Sequence, residues 1–211
     1  MRILYIDTSS SYLYAGIIED EKLLCETKKE FAQSLSEEAM PEISKLFKKI
    51  NMKPPEIEKI IVVDGPGSFT GIRIGITIAK VYAWSLNIPI TTISALEAMS
   101  ISTNTKKIRV PMINARRGYV FAAAYGENEE TIIKPKHQKM TDLFGQLEDK
   151  EYLIITNDEF EINKEITGYN PDILKIVNYF KDKEAVNPHA VNPEYLKLTE
   201  AEESKMSWLK K

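Results

Sequence analysis

Two short segments carry residue types that could hold an anion or a metal-bound oxygen. In the first, Asp7-Thr8-Ser9, a carboxylate is followed by two hydroxyls directly after the apolar run 3–6. The second, Gly67-Ser68, lies in a glycine-rich stretch that precedes an apolar helical pattern. Exposed backbone N–H groups and the positive end of a helix attract phosphate. Both segments are therefore candidate phosphate loops.

Each segment also has a simpler structural interpretation. The first contains no glycine, which a backbone normally needs where it approaches phosphate, and an Asx-type turn closing a hairpin accounts for its residues. The second lacks the Gly-Lys-Ser/Thr ending of a P-loop, and a rigid turn with Ser68 or Thr70 as helix N-cap accounts for it. The residue types favour these structural roles, so we expect vestigial phosphate loops rather than working ones.

The remaining reactive side chains form no recognisable catalytic set. Arg116-Arg117 could clamp a phosphate, but an arginine pair at the tip of a hairpin is more often solvated. His137 and His189 are far apart and lack a companion at ligand spacing, and Cys25 stands alone. We therefore predict no catalytic residue, no metal site and no cofactor.

Composition narrows the class of protein. The 211 residues are 43% hydrophobic and carry a formal net charge of -3, which is typical of a globular chain and argues against autonomous binding to nucleic-acid backbones. No segment approaches the roughly 20 apolar residues of a membrane span, and no export signal is visible at the amino terminus. We expect a cytoplasmic protein.

The elements that must position these residues follow from hydrophobic periodicity. The first half predicts strands, then helices and strands in alternation: strands 2–6, 12–18 and 22–28, helix 35–50, strand 57–63, helix 70–87, strand 90–93 and a helix from residue 94. Pro41 either kinks the first helix or marks its true first turn. Polar residues 102–105 suggest a boundary between two lobes, 1–104 and 105–211.

The second half predicts another mixed unit. It begins with a hairpin whose turn contains Gly118, a residue that can take the positive φ of a tight turn. The predicted elements are strands 108–114, 119–125 and 131–134, helix 141–147, strand 152–156 and helix 174–181. Two similar α/β lobes are the expected architecture.

The helix over 70–87 has more apolar surface than one buried face requires. Its apolar positions span about 220°, whereas a helix packed on one side of a sheet needs about 100–140°. The excess predicts that this helix and the one before it dock a partner, although burial wholly inside its own lobe is the alternative. The residues expected at this interface are Leu35, Ala39, Ile43, Ile72, Gly75, Ile76, Ala79 and Ala83.

Several motifs together resemble the TsaB (YeaZ) family. They occur in the family's order and span nearly the whole chain: Ile3-Leu4-Tyr5-Ile6-Asp7-Thr8-Ser9, the stretch from Gly65 to Gly75 with Ala79-Lys80, Asn114-Ala115-Arg116-Arg117-Gly118, and Pro193-Glu194-Tyr195-Leu196. The glycine loop with its helix is the specific element. Leu35 stands where family members often carry histidine, and Asn114 where aspartate is more usual.

The resemblance implies an α/β, two-lobed fold like actin, Hsp70 and sugar kinases (ASKHA), each lobe a mixed sheet flanked by helices. It implies a non-catalytic subunit that binds and stabilises TsaD, the subunit that transfers threonylcarbamoyl to the adenosine beside the anticodon of tRNA. TsaE would join a ternary complex, tRNA would be reached only indirectly, and the chain would form a homodimer when alone. A stand-alone ATP-dependent kinase or acyltransferase of the same fold is the alternative, and a metallopeptidase would need histidines that this sequence lacks.

Overall fold

The computed structural model describes residues 1–31 and 35–197. Within these ranges, ten strands form two five-stranded sheets, and five α-helices cover them. The first sheet has the order β3-β2-β1-β4-β5, and the second has the order β10-β9-β6-β7-β8. Two lobes, each a mixed sheet with flanking helices, were expected from the sequence, and this architecture is confirmed.

The first sheet combines an antiparallel meander with two parallel strands. Its strands are β1 Arg2–Asp7, β2 Tyr12–Glu19, β3 Lys22–Glu30, β4 Lys59–Gly65 and β5 Ile90–Ser94. Strand β1 pairs antiparallel to β2 and parallel to β4. All seven residues of β4 are buried, as expected for a β-branched run at the centre of a sheet that is covered on both faces.

Different helices cover the two faces of the first sheet. Helices α1 Leu35–Lys49 and α2 Phe69–Leu86 pack on one face, where Ile43, Phe47 and Ile76 share a core with Leu4 and Val62. Helices α3 Ala95–Ser102 and α5 Ile173–Phe180 pack on the other. In the described ranges no helix is long and apolar enough to cross a membrane.

The second sheet lies beyond α3. Its strands are β6 Ile108–Asn114, β7 Tyr119–Tyr125, β8 Thr131–Lys139, β9 Tyr152–Ile155 and β10 Ile166–Thr167. Leu96 and Met99 of α3 pack on one face beside Ala123 and Ile155, while α4 Met140–Gln146 covers the other. Helix α3 is therefore shared by both sheets and joins the lobes.

The end of the described chain returns to the first lobe. Ile173, Ile176 and Val177 of α5 pack against the first sheet, and Val186 forms a bridge with Ile90. The expectation that all of 105–211 forms the second lobe is wrong for residues 173–197, because the apolar face of α5 completes the first core. Residues 198–211 lie outside the described ranges.

The predicted elements differ from the observed ones mainly in the second lobe. Strand β8 extends to Lys139 instead of ending at residue 134, because it is an edge strand and tolerates Pro135. The two-residue strand β10 has no predicted counterpart. Pro41 lies inside α1, which excludes one of the two alternatives left open by the sequence, that it marks the first turn. Gly118 has a φ of 76°, as predicted for the hairpin turn.

Candidate partner-binding surface and phosphate-loop cluster

The two candidate phosphate loops pack against each other. The amide of Ser68 donates to Ser9 O at 2.7 Å. A Cβ on Gly67 would lie 2.1 Å from that same carbonyl oxygen, so only glycine fits there. The backbone donor that a phosphate would need at Ser68 is therefore already used within the protein.

The first loop is closed by its own carboxylate. Asp7 Oδ1 accepts from the amide of Ser9 at 2.8 Å and from its hydroxyl at 2.7 Å. Asp7 is 1% exposed, and burial raises the pKa of its carboxyl while the hydrogen bonds from Ser9 oppose that rise. This geometry supports the Asx-turn interpretation of the segment.

The second loop starts α2. Ser68 is the N-cap, because its hydroxyl accepts from the amide of Gly71 at 3.2 Å. Thr70 was the other candidate for this role and lies within the helix instead. The tight turn at Gly65–Gly67 therefore serves to start the helix.

The small residues Gly71 and Gly75 on α2 leave space that the first loop fills, so another helix cannot pack there. A Cβ on Gly71 would lie 2.1 Å from Thr8 O, and one on Gly75 would lie 2.3 Å from Thr8 Oγ1. The Thr8 hydroxyl donates to Gly71 O at 2.7 Å, and Thr8 is fully buried. The expectation that Gly75 lets a partner approach is wrong, because its own lobe fills that space.

The other residues expected at the partner interface are also turned inward. Seven of the eight are buried and Leu35 is partly buried: Ala39, Ile43, Ile72, Gly75, Ile76, Ala79 and Ala83 belong to the buried set. The apolar arc of α2 is wide because it packs on the sheet, on α1 and on the loop of Thr8 together. Those side chains contact their own lobe, and their assignment to a docking surface is wrong.

The exposed face of α2 carries different apolar residues. Phe69 is 57% exposed, Val81 55% and Trp84 69%. On the neighbouring α1, Met40 is 39% exposed. The sequence analysis did not assign these residues to the interface, and the apolar sequence around Trp84 gives no local signal that its side chain is exposed.

The tail covers the amino-terminal end of this exposed face. The guanidinium of Arg73 lies 3.8 Å from the ring centre of Phe69, and its Nε donates to the hydroxyl of Tyr195 at 2.9 Å. The rings of Phe69 and Tyr195 stack at 5.7 Å. Further along, Lys80 Nζ donates to Val191 O at 2.9 Å. The tail thus contacts Phe69, which stays 57% exposed, while no tail contact is seen at Val81 or Trp84 among the described residues.

A buried carboxylate lies where the tail meets β4. The amide of Glu194 donates to the backbone oxygen of Asp64 at 2.8 Å. Desolvation raises the pKa of the Asp64 side chain to about 7, with a hydrogen bond from Thr92 acting in the opposite direction. Asp64 is 9% exposed, and its Oδ1 has no hydrogen-bond partner among the described residues.

A cleft of about 920 Å³ separates the lobes. Its walls include both loops, from Ser9 and Gly67 onward, together with Asn114, Arg116 and Tyr169. His137 lies in β8 and His189 in a short 3-10 helix after α5. Within the part of the chain that the structure describes, no group of three or more His, Cys, Asp or Glu side chains could hold a metal ion.

Comparison with known proteins identifies the family. The chain is 31% identical over 221 aligned residues to the tRNA threonylcarbamoyladenosine biosynthesis protein TsaB of Bacillus subtilis (strain 168), with 96% of each chain covered. The chain belongs to the TsaB (YeaZ) family. TsaB of Escherichia coli (strain K12) is 31% identical over 165 residues, which cover 69% of each chain. The family model of TsaD, tRNA N6-adenosine threonylcarbamoyltransferase, matches residues 29–202 of this TsaB family member.

Solved structures agree with the fold. YeaZ from Pseudomonas aeruginosa superposes with a TM-score of 0.74 at 17% identity, covering 92% of this chain and 99% of that one. An uncharacterized Pseudomonas aeruginosa protein with similarity to peptidase YeaZ superposes with a TM-score of 0.75 at 16% identity. The match covers 93% of this chain and 99% of that one. At such identity the likeness concerns the fold alone. This member of the TsaB family has the fold of YeaZ, with two lobes that are each a mixed sheet flanked by helices, as expected from its sequence.

Proposed function

We propose that this chain is a non-catalytic subunit that binds and stabilises TsaD for the transfer of threonylcarbamoyl to adenosine in tRNA. The observation that carries the proposal is the exposed pair Val81 and Trp84, one helical turn apart on α2 and 55% and 69% exposed. Large apolar side chains so exposed favour association. Family membership indicates the pathway in which the association takes place.

The free energy gained by burying Trp84 favours this residue as the main contact with TsaD. Burying the remaining surface of a tryptophan that is 69% exposed removes on the order of 150 Å² of surface from water. At about 25 cal/mol per Å² this corresponds to about 4 kcal/mol. Exposed aromatic residues of this kind dominate the energy of many interfaces.

The proposal extends to the other members of the assembly. A second copy of the chain would occupy the face of α1 and α2 when TsaD is absent, which gives a homodimer. TsaE would join the complex of this chain with TsaD, and the assembly would work in the cytoplasm with the tRNA held by TsaD. The internal use of Asp7, Ser9 and Ser68 supports a role without nucleotide chemistry, because each already has a partner within the loops.

A stand-alone ATP-dependent enzyme is the second candidate. The cleft of about 920 Å³ between the lobes favours it, because both candidate phosphate loops line that cleft. Isothermal titration of the purified chain with ATP and magnesium separates the two candidates. Tight binding together with turnover by a homogeneous preparation would support the enzyme and contradict the scaffold.

Sedimentation with TsaD from the same organism tests the proposed surface. Val81→Glu places a charge that must be desolvated on docking, which costs several kcal/mol, while the exposed charge costs the free chain little. Ile132→Glu is the matched control, since Ile132 is 36% exposed on β8, in the other lobe. We expect the first variant to lose the complex and the second to keep it. If folded Val81→Glu still binds TsaD like the wild type, the surface is assigned wrongly.

A further inference from the structure

The turn between β6 and β7 carries cations in an unusual conformation. Arg116 and Arg117 have φ values of 65° and 53°, a region that Gly, Asn and Asp normally occupy in hairpin turns. Both side chains are exposed. Lys139, the register partner of Tyr119, adds a third exposed cation beside the turn. Among the described residues, none of these three cations is ion-paired with a carboxylate.

Aromatic rings lie directly beside these cations. The rings of Tyr119 and His137 stack with 4.8 Å between centres and 11° between planes, and Phe121 lies 5.3 Å from His137. Cross-strand partners project from the same face of a sheet, so the pairs Tyr119 with Lys139 and Phe121 with His137 share one face. We call Arg116, Arg117, Tyr119, Phe121, His137 and Lys139 the hairpin patch.

Acidic residues on this sheet lie mostly at its other end. Strand β7 begins beside the cations at Tyr119 and ends at Tyr125, before Glu127, Glu129 and Glu130. Seven residues of strand span about 20 Å, whereas charges are screened beyond about 8 Å at physiological salt. Near the turn, Asp158 accepts from the amide of Asn114 at 2.7 Å. That bond leaves the carboxylate charged, and the three cations of the hairpin patch outnumber it, so the turn is locally positive on a chain with a net charge of -3.

The opposite wall of the cleft carries one exposed cation, Lys28, and a carboxylate, Glu30. Lys28 Nζ lies 5.3 Å from the ring centre of Tyr12 and 5.6 Å from that of Tyr14. These three residues line the same cleft as Arg116 and Phe121. Tyr14 is only 2% exposed and Tyr12 is partly buried, so this wall supplies a cation for phosphate, while the bases would stack on the partly exposed rings of the hairpin patch.

We propose that the hairpin patch binds a single-stranded RNA segment. Proteins recognise unpaired RNA by stacking bases on aromatic side chains at a sheet surface and by pairing phosphates with arginine and lysine. This adds a direct contact to the indirect route to tRNA expected from net charge, and it requires no TsaD. A partner protein with an acidic surface would use the cations but not the partly exposed rings.

Fluorescence anisotropy of a labelled, unstructured 12-nucleotide RNA with the isolated full chain tests the proposal. Arg116→Ala/Arg117→Ala should weaken binding at least tenfold at low salt and reduce the slope of log affinity against log salt by about 1.4, or about 0.7 for each phosphate that is no longer neutralised. Tyr119→Ala should weaken binding about tenfold, and Tyr119→Phe should retain it. Lys22→Ala/Lys150→Ala removes the same charge from exposed sites outside the patch and should change affinity little.

Several results would overturn the assignment. One is a wild-type protein that binds no RNA even at the lowest salt concentration. The chain would then reach tRNA only through TsaD. Another is a control variant that weakens binding as much as the arginine variant, which makes the effect one of net charge. A third is inorganic polyphosphate that binds as tightly as RNA, together with an RNA affinity that Tyr119→Ala does not change. That result would make the hairpin patch a general anion site. Circular dichroism verifies that each variant is folded, and none of these outcomes depends on TsaD binding.

Discussion

Replacing Gly75 with alanine tests whether the small residues of α2 serve their own lobe. The added Cβ would lie 2.3 Å from Thr8 Oγ1, which is buried and donates to Gly71 O at 2.7 Å. Thr8 is β-branched and stiff at χ1, so its hydroxyl cannot move aside freely. We expect Gly75→Ala to destabilise the protein although alanine is the better helix former.

The magnitude follows from three effects. Displacing the Thr8 hydroxyl breaks a buried hydrogen bond of about 1 kcal/mol, and overpacking costs about 1–3 kcal/mol. Alanine in place of glycine inside a helix returns about 1 kcal/mol. The expected net loss is about 1–3 kcal/mol. In the Thr8→Ala background the nearest atoms are Thr8 Cβ at 3.5 Å and Ile6 Cγ2 at 3.7 Å, which are ordinary contacts, so Gly75→Ala should stabilise by about 1 kcal/mol there.

Urea unfolding at one fixed protein concentration would compare the wild type, Gly75→Ala, Thr8→Ala and the double variant. It measures whether the effect of Gly75→Ala on the free energy of unfolding changes sign between the two backgrounds. The double-mutant cycle should give a coupling of about 2–4 kcal/mol between Thr8 and Gly75. If Gly75→Ala is neutral in the wild type, or costs the same in both backgrounds, the loop of Thr8 does not explain the glycine. Folded Gly75→Ala should also still bind TsaD, because Gly75 lies beneath the proposed surface.

Three further predictions, made with five single substitutions, can be tested by urea unfolding. Ser68→Ala should cost about 0.5–2 kcal/mol through loss of the N-cap, and Thr70→Ala should be nearly neutral. Ile76→Glu should cost several kcal/mol because Ile76 is 4% exposed, whereas Thr77→Glu on the exposed face should change stability by less than about 0.5 kcal/mol. The pKa of folded Asp64 is raised from its ordinary 3.8 to about 7, so its contribution to stability is fully present below about pH 4 and is lost as pH rises through about 7. Asp64→Asn should therefore flatten the fall in stability between about pH 4 and 7, and an unchanged pH profile would contradict this.

The sequence predicted the elements well where periodicity alone decides them. The buried β-branched run of β4 and the amphipathic pattern of α1 place those elements within about two residues of their observed bounds. The return of α5 to the first lobe could not be predicted in this way. A helix pattern shows that one face is apolar but not which of two sheets will cover it.

The docking residues were assigned wrongly for a related reason. The wide apolar arc of α2 was interpreted as excess surface, but the loop of Thr8 packs into the space left by Gly71 and Gly75. That contact joins residues more than 60 positions apart, and no local pattern encodes it. The truly exposed Val81 and Trp84 fell outside the expected set for the same reason.

Reconstitution of tRNA threonylcarbamoylation measures the central claim most directly. TsaD supplied with threonylcarbamoyl-adenylate and tRNA would be assayed alone, with this chain, and with its Val81→Glu variant, with TsaE present throughout. We predict little product from TsaD alone, none from this chain alone, robust product from the two together, and loss of that gain with Val81→Glu. Product formed by this chain without TsaD, or full activity of TsaD in its absence, would contradict the assignment of a non-catalytic partner subunit.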